Sequence, residues 1–135
     1  MKFKKFLVLI AILAIFLFLS ILFFVNSFLL HSYKRIYFDF IVGNHLGFNP
    51  DKDFLHFGTL PRGAVGFRDF EVHNVDCTKC LVSIKSKLKW FRLDNNNFIL
   101  KKNEKKTIVV FLNIPKDASL GDYSGFIEVY LWKTI

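Results

Sequence analysis

Residues 6–30 read FLVLIAILAIFLFLSILFFVNSFLL, a run of twenty-five without a charge, a proline or a glycine. Only Ser20, Asn26 and Ser27 in it are polar. At 1.5 Å rise per residue a helix of this length reaches about 37 Å, enough to cross the ~30 Å hydrocarbon core of a bilayer with some tilt. Whatever follows such a segment has to live on one side of a membrane. Lys2, Lys4 and Lys5 precede the run, and Lys34 and Arg35 follow it. The positive-inside bias therefore favours a cytoplasmic start, by a small margin. A cleaved signal peptide has an apolar core of only about 7–15 residues and a small-x-small cleavage site. The one weak site here, Val25-Asn26-Ser27, is followed by more apolar residues. The expected organisation is a basic cytoplasmic start at 1–5, an uncleaved transmembrane helix at 6–30, a linker at 31–34 and one small domain at 35–135.

Three of the nineteen Lys and Arg residues precede the apolar run, so residues 31–135 hold sixteen of them against eleven Asp and Glu, a net of +5. That surface is soluble and mildly attracted to anionic lipid or polymer. No finger, helix-turn-helix or RNP-like pattern supports a nucleic-acid partner.

After residue 30 the apolar residues follow a period of two, which predicts strands. Arg35–Val42 puts Ile36, Phe38, Phe40 and Val42 on one face and Tyr37 and Asp39 on the other. Phe54–Phe57, Val65–Val72 and Phe98–Leu100 read as further strands. Leu81–Trp90 has the clearest alternation: Val82, Ile84, Ser86, Leu88 and Trp90 share one face, and Lys85, Lys87 and Lys89 the other. Trp90 closes that face and is expected to anchor the core. Thr107–Ile114 is apolar on both faces, which predicts a central strand, and Pro115 ends it because proline cannot donate to a ladder. Tyr123–Trp132 is the last strand. Seven or eight short strands with a turn every 8–12 residues predict an antiparallel β-sandwich behind one helix.

Two stretches carry a resemblance. LHFGTLPRGAVGFRDFEVHN (55–74) has an FG-x-x-x-x-G opening, here Phe57, Gly58 and Gly63, followed by Arg68 and Asn74. NFILKKNEKKTIVVFLNIPKDASLGDYSGFIEVYL (97–131) has a closing IP-x-x-A-x-x-G-x-Y-x-G pattern. Together they resemble prokaryotic, archaeal-type extracellular Ig-like domains. The resemblance implies an all-β Ig-like sandwich behind the transmembrane anchor, and it implies no ligand. Gly121 is expected at positive φ in the corner turn, and the Tyr123 hydroxyl is expected to bond loop backbone.

The one sharp chemical motif is Cys77-Thr78-Lys79-Cys80. It can be a structural disulfide, free thiols, a redox pair or half of a zinc site, and the second half of a zinc site is absent from the sequence. The disulfide is the expectation carried forward. The four histidines have no local metal spacing, though His56 and His73 could meet across neighbouring strands. Asp51 and Asp53 lack the ligand run of a calcium loop. The sequence thus predicts no catalytic, cofactor-binding or metal-binding set. Lys85, Lys87 and Lys89 form a candidate basic face. Tyr37, Phe126, Tyr130 and Trp132 form a candidate aromatic interaction patch, because Tyr37 on the first strand can lie beside the last strand.

These features predict a membrane-anchored, extracytoplasmic, non-enzymatic module of the cell surface or envelope. Its expected partners are the membrane and other envelope or surface proteins, with a homo-oligomer left open. Two other readings stand beside it. One is a filament or secretion-machine component resembling archaellum stator or pilin subunits, and the other is a thiol–disulfide carrier using Cys77 and Cys80.

Overall fold

A computed structural model of the chain describes residues 2–47 and 54–134, and the side chains of Lys2, Asn26 and Ser27 lie outside that description, as do Asp51 and Asp53. The chain divides into two units, Met1–Leu30 and His31–Ile135.

The first unit is one α-helix, α1, Lys2–Leu29. At 28 residues it is about 42 Å long. Its stretch Phe3–Val25 has a mean hydropathy of 3.3, long and apolar enough to cross a membrane.

The second unit is built from eight strands: β1 (Leu30–Val42), β2 (Leu55–Leu60), β3 (Val65–His73), β4 (Lys79–Ser86), β5 (Phe91–Leu93), β6 (Phe98–Lys101), β7 (Lys105–Asn113) and β8 (Gly121–Lys133). They form a five-stranded sheet of order β2-β1-β8-β4-β6 and a three-stranded sheet of order β3-β7-β5. Alternate residues of both sheets meet in one core. Phe38, Phe40, Leu55, Phe57, Val82, Ile84, Leu100, Ile127 and Val129 come from the larger sheet, and Ile108, Val110 and Leu112 from the smaller. The architecture is sandwich-like. β7 is central in its sheet, as its two apolar faces predict, pairing antiparallel with both β3 and β5.

Three boundaries differ from the sequence reading. Residues 31–34 belong to β1 and are not a separate linker. The alternation in Leu81–Trp90 does not mark one strand. β4 stops at Ser86, whose Oγ accepts the Leu88 N–H at 3.2 Å. This local bond competes with the ladder and turns the chain. Leu88 and Trp90 still pack against the core, but from the turn that carries the chain to β5 in the other sheet. Trp90 is therefore only half-buried. Third, β1 and β2 run parallel, so the larger sheet is mixed and not purely antiparallel.

The motif residues have structural jobs. Gly58 (φ 73°) sits where the β1–β2 register shifts between Asp39 and Ile41, a bulge that needs a left-handed residue. Arg68 Nε donates to the His56 carbonyl at 2.7 Å, tying β3 to β2. Gly121 has φ 143°, and the Tyr123 hydroxyl donates to the Ser119 carbonyl at 2.8 Å. A side chain at Gly125 would press within 2.9 Å of the buried Phe38 ring.

Candidate functional site

Phe38 and Phe40 face the core on β1, so period two turns Tyr33, Arg35, Tyr37 and Asp39 to the other side of the five-stranded sheet. Ile127, Val129 and Leu131 do the same on β8, turning Phe126, Glu128, Tyr130 and Trp132 outward. β1 and β8 are neighbours in the sheet. Tyr33 meets Tyr130 with ring centroids 5.0 Å apart, and Tyr37 meets Phe126 at 5.7 Å. As β1 advances β8 retreats, so the pair is antiparallel.

The outcome is an aromatic row on the outside of the sandwich. Tyr37 also meets Phe54 edge-on at 5.8 Å, and Tyr130 stacks on Trp132 at 5.9 Å. Trp132 lies opposite Leu81 of β4, which lies opposite Ile99 of β6. Apolar side chains thus cross from the β2 end of the sheet to β6. Phe54, Ile99, Tyr33 and Phe126 are 51%, 48%, 45% and 41% exposed. Each ring is too large to sit in water without cost, and aromatic surface of this kind is enriched at protein interfaces. Cations lie over two of the rings: the Arg35 guanidinium is 4.0 Å from the Phe126 centroid, and Lys85 Nζ is 5.5 Å from that of Tyr130.

A carboxylate sits among the rings. Glu128 accepts hydrogen bonds from the Tyr33 hydroxyl at 2.9 Å and from the Tyr130 hydroxyl at 3.1 Å. The Tyr33 bond first, and the Tyr130 bond next, hold the Glu128 carboxyl below its ordinary range. The two phenols are pushed up, first by lost hydration and then by their bonds to Glu128. The depressed Glu128 contributes stability that is present above the ordinary carboxylate range and lost as the pH falls through its folded value. The raised phenols contribute stability that is present below pH ~10 and lost as the pH rises through their folded values. Glu128→Gln should therefore move the ultraviolet phenolate titration of Tyr33 and Tyr130 down toward pH ~10. An unchanged titration would mean that these bonds do not govern the phenols.

The patch predicted from sequence, Tyr37, Phe126, Tyr130 and Trp132, is brought together on one face. Tyr33, Arg35, Phe54 and Glu128 belong to the same surface and were not in that set. Continuing the β1 alternation back from Tyr37 to Arg35 and Tyr33 would have found two of them. The predicted basic face does not form as one strand face. Lys85 lies on β4, while Lys87 and Lys89, also exposed, lie past its end.

Cys77 and Cys80 are joined by a disulfide. Both are buried, Cys80 completely, within the core cluster. His56 lies beside Asp39 on β1, Nδ1 to Oδ1 2.7 Å. His73 ends β3 opposite Lys105, on the other sheet from His56. Among the described residues no group of three or more His, Cys, Asp or Glu is placed to hold a metal ion.

No protein-family model matches this chain. Comparison with curated proteins returns no match, and comparison with solved structures returns none either.

Proposed function

We propose that this chain is a single-pass membrane protein whose Ig-like β-sandwich lies outside the cytoplasm and acts, without catalysis, as a protein-contact module of the cell surface or envelope. The observation that carries this reading is the exposed aromatic row on the outer face of the five-stranded sheet. A sheet face turned to water ordinarily carries polar residues, and this one presents Tyr33, Tyr37, Phe54, Phe126, Tyr130 and Trp132.

The Ig-like assignment is supported by two packed sheets of short strands, by the Tyr123–Ser119 corner bond and by the meeting of the first and last strands. The extracytoplasmic side is supported by the Cys77–Cys80 disulfide, which suits an oxidising compartment, and by the lysines before α1. Protease added to intact cells without an outer barrier should remove the β domain, whereas protection until lysis would place it inside.

The contact role is tested with a photo-crosslinking residue in place of Phe126, in native membranes. The expected outcome is one discrete adduct with a different protein. It should disappear in a Tyr37→Ser/Trp132→Ser variant and persist in Lys116→Glu, an exposed change elsewhere. Adducts only in multiples of this chain would replace the reading with a filament-type subunit. A complete lack of adducts would overturn it.

A further inference from the structure

β8 is thirteen residues long, yet β4 pairs only with its second half, Ile127–Lys133. β4 ends opposite Ile127, at the Ser86–Leu88 turn. β1 lies along the other side of β8. Gly121–Phe126 therefore has a strand neighbour on one side and, among the described residues, none on the other. In an antiparallel strand the peptide groups of alternate residues point to each side, so part of this backbone faces an open edge.

A notch of ≈340 Å³ runs along that edge. Lys87, Leu88, Gly125 and Phe126 line it, and the buried Phe38 ring packs closely against Gly125 beneath it. Arg35 and Lys87 bring two positive charges to its rim. The rim's one carboxylate, Glu128, feels both cations and offsets one of them, which leaves the rim with an excess of one positive charge.

We propose that this notch binds an extended, acidic segment of a partner protein, added as a strand beside Gly121–Phe126. The added backbone would pair with the open peptide groups, which supplies affinity. An apolar side chain would lie in the notch against Leu88 and Phe126, and an acidic one would meet Lys87 and Arg35. The +5 net charge of residues 31–135 and the positive excess at the rim favour an acidic partner over a second copy. This site lies beyond the aromatic row proposed above, and either can fail alone.

The probe is a fluorescein-labelled hexapeptide alternating valine and glutamate, mixed with full-length protein in detergent micelles and followed by anisotropy. It should bind, and its valine–lysine counterpart should not. Lys87→Glu, an exposed change, should weaken binding by about tenfold or more. Methylating alternate backbone nitrogens of the peptide should abolish binding, and hydrogen exchange at Tyr123–Gly125 should slow when the unmodified peptide is present. Trp132→Ser, on the aromatic row, should bind as the parent does. Several results would overturn the proposal: no binding at millimolar peptide, equal binding of the methylated or lysine peptide, or no effect of Lys87→Glu. Loss of binding in Trp132→Ser would overturn it too, by placing the peptide on the aromatic row.

Discussion

Asn74→Ala is expected to cost the domain about 3–5 kcal/mol, a loss at the severe end for a single polar substitution. Asn74 is fully buried. Its Nδ2 donates to the Cys77 carbonyl at 2.7 Å and to the Leu100 carbonyl at 3.0 Å, and its Oδ1 accepts the Cys77 N–H at 3.1 Å. Its own backbone joins in, N–H to the Glu104 carbonyl and carbonyl to the Asn103 N–H. One side chain therefore holds together the end of β3, the disulfide loop and β6. Alanine would leave backbone groups in the interior without partners, at about 1–3 kcal/mol for each that water cannot reach. Asn74→Asp should be worse, because it sets carboxylate oxygens against two carbonyls. Urea denaturation of the full chain in micelles, followed by the fluorescence of Trp90 and Trp132, measures both. A loss below about 1 kcal/mol for alanine would show that water takes over these bonds.

Phe40→Ala should cost a similar amount, about 3–5 kcal/mol. Phe40 is 2% exposed and lies parallel to the Tyr123 ring at 5.0 Å, with Trp90 at 6.0 Å and Phe38 at 6.3 Å. Removing it would open a cavity among rings held from three separate elements, which cannot collapse together without moving backbone. Trp90→Ala should cost less, since burial free energy follows the area withdrawn from water and Trp90 keeps part of its surface exposed where Phe40 keeps 2%. The same denaturation curves rank the two. A greater loss for Trp90 would return it to the centre of the core.

These two residues show what alternation can reveal and what it cannot. Period two identified which side chains turn inward. Val82, Ile84, Leu88 and Trp90 all pack on the core, as their spacing predicts. It could not tell that the ladder would end at Ser86, because an inward residue in a turn and one in a strand look alike in sequence. Asn74 was legible only as the last letter of a resemblance. Its role depends on Leu100, twenty-six positions away, and no local pattern encodes that distance. The aromatic row was half legible: Tyr37 and the β8 residues stood out. Tyr33 is separated from the apolar alternation by the consecutive charges Lys34 and Arg35, and Phe54 joins only through the parallel β1–β2 pairing.

The place of β1 also dictates when the domain can form. Tyr33 and Glu128 are ninety-five residues apart and hydrogen-bonded, and β1 and β8 are adjacent inside the larger sheet. The first strand to be synthesised therefore waits for the last. At about 5–20 residues per second that wait lasts seconds, with Phe38, Phe40 and the outer tyrosines uncovered throughout. Contacts this distant in sequence are slow to close, so little of the sandwich can assemble while the chain is still emerging. A nascent chain of this kind leaves those rings uncovered until β8 has been made. A stop codon just before Gly121 would yield an unfolded polypeptide behind the apolar helix, not a domain one strand short.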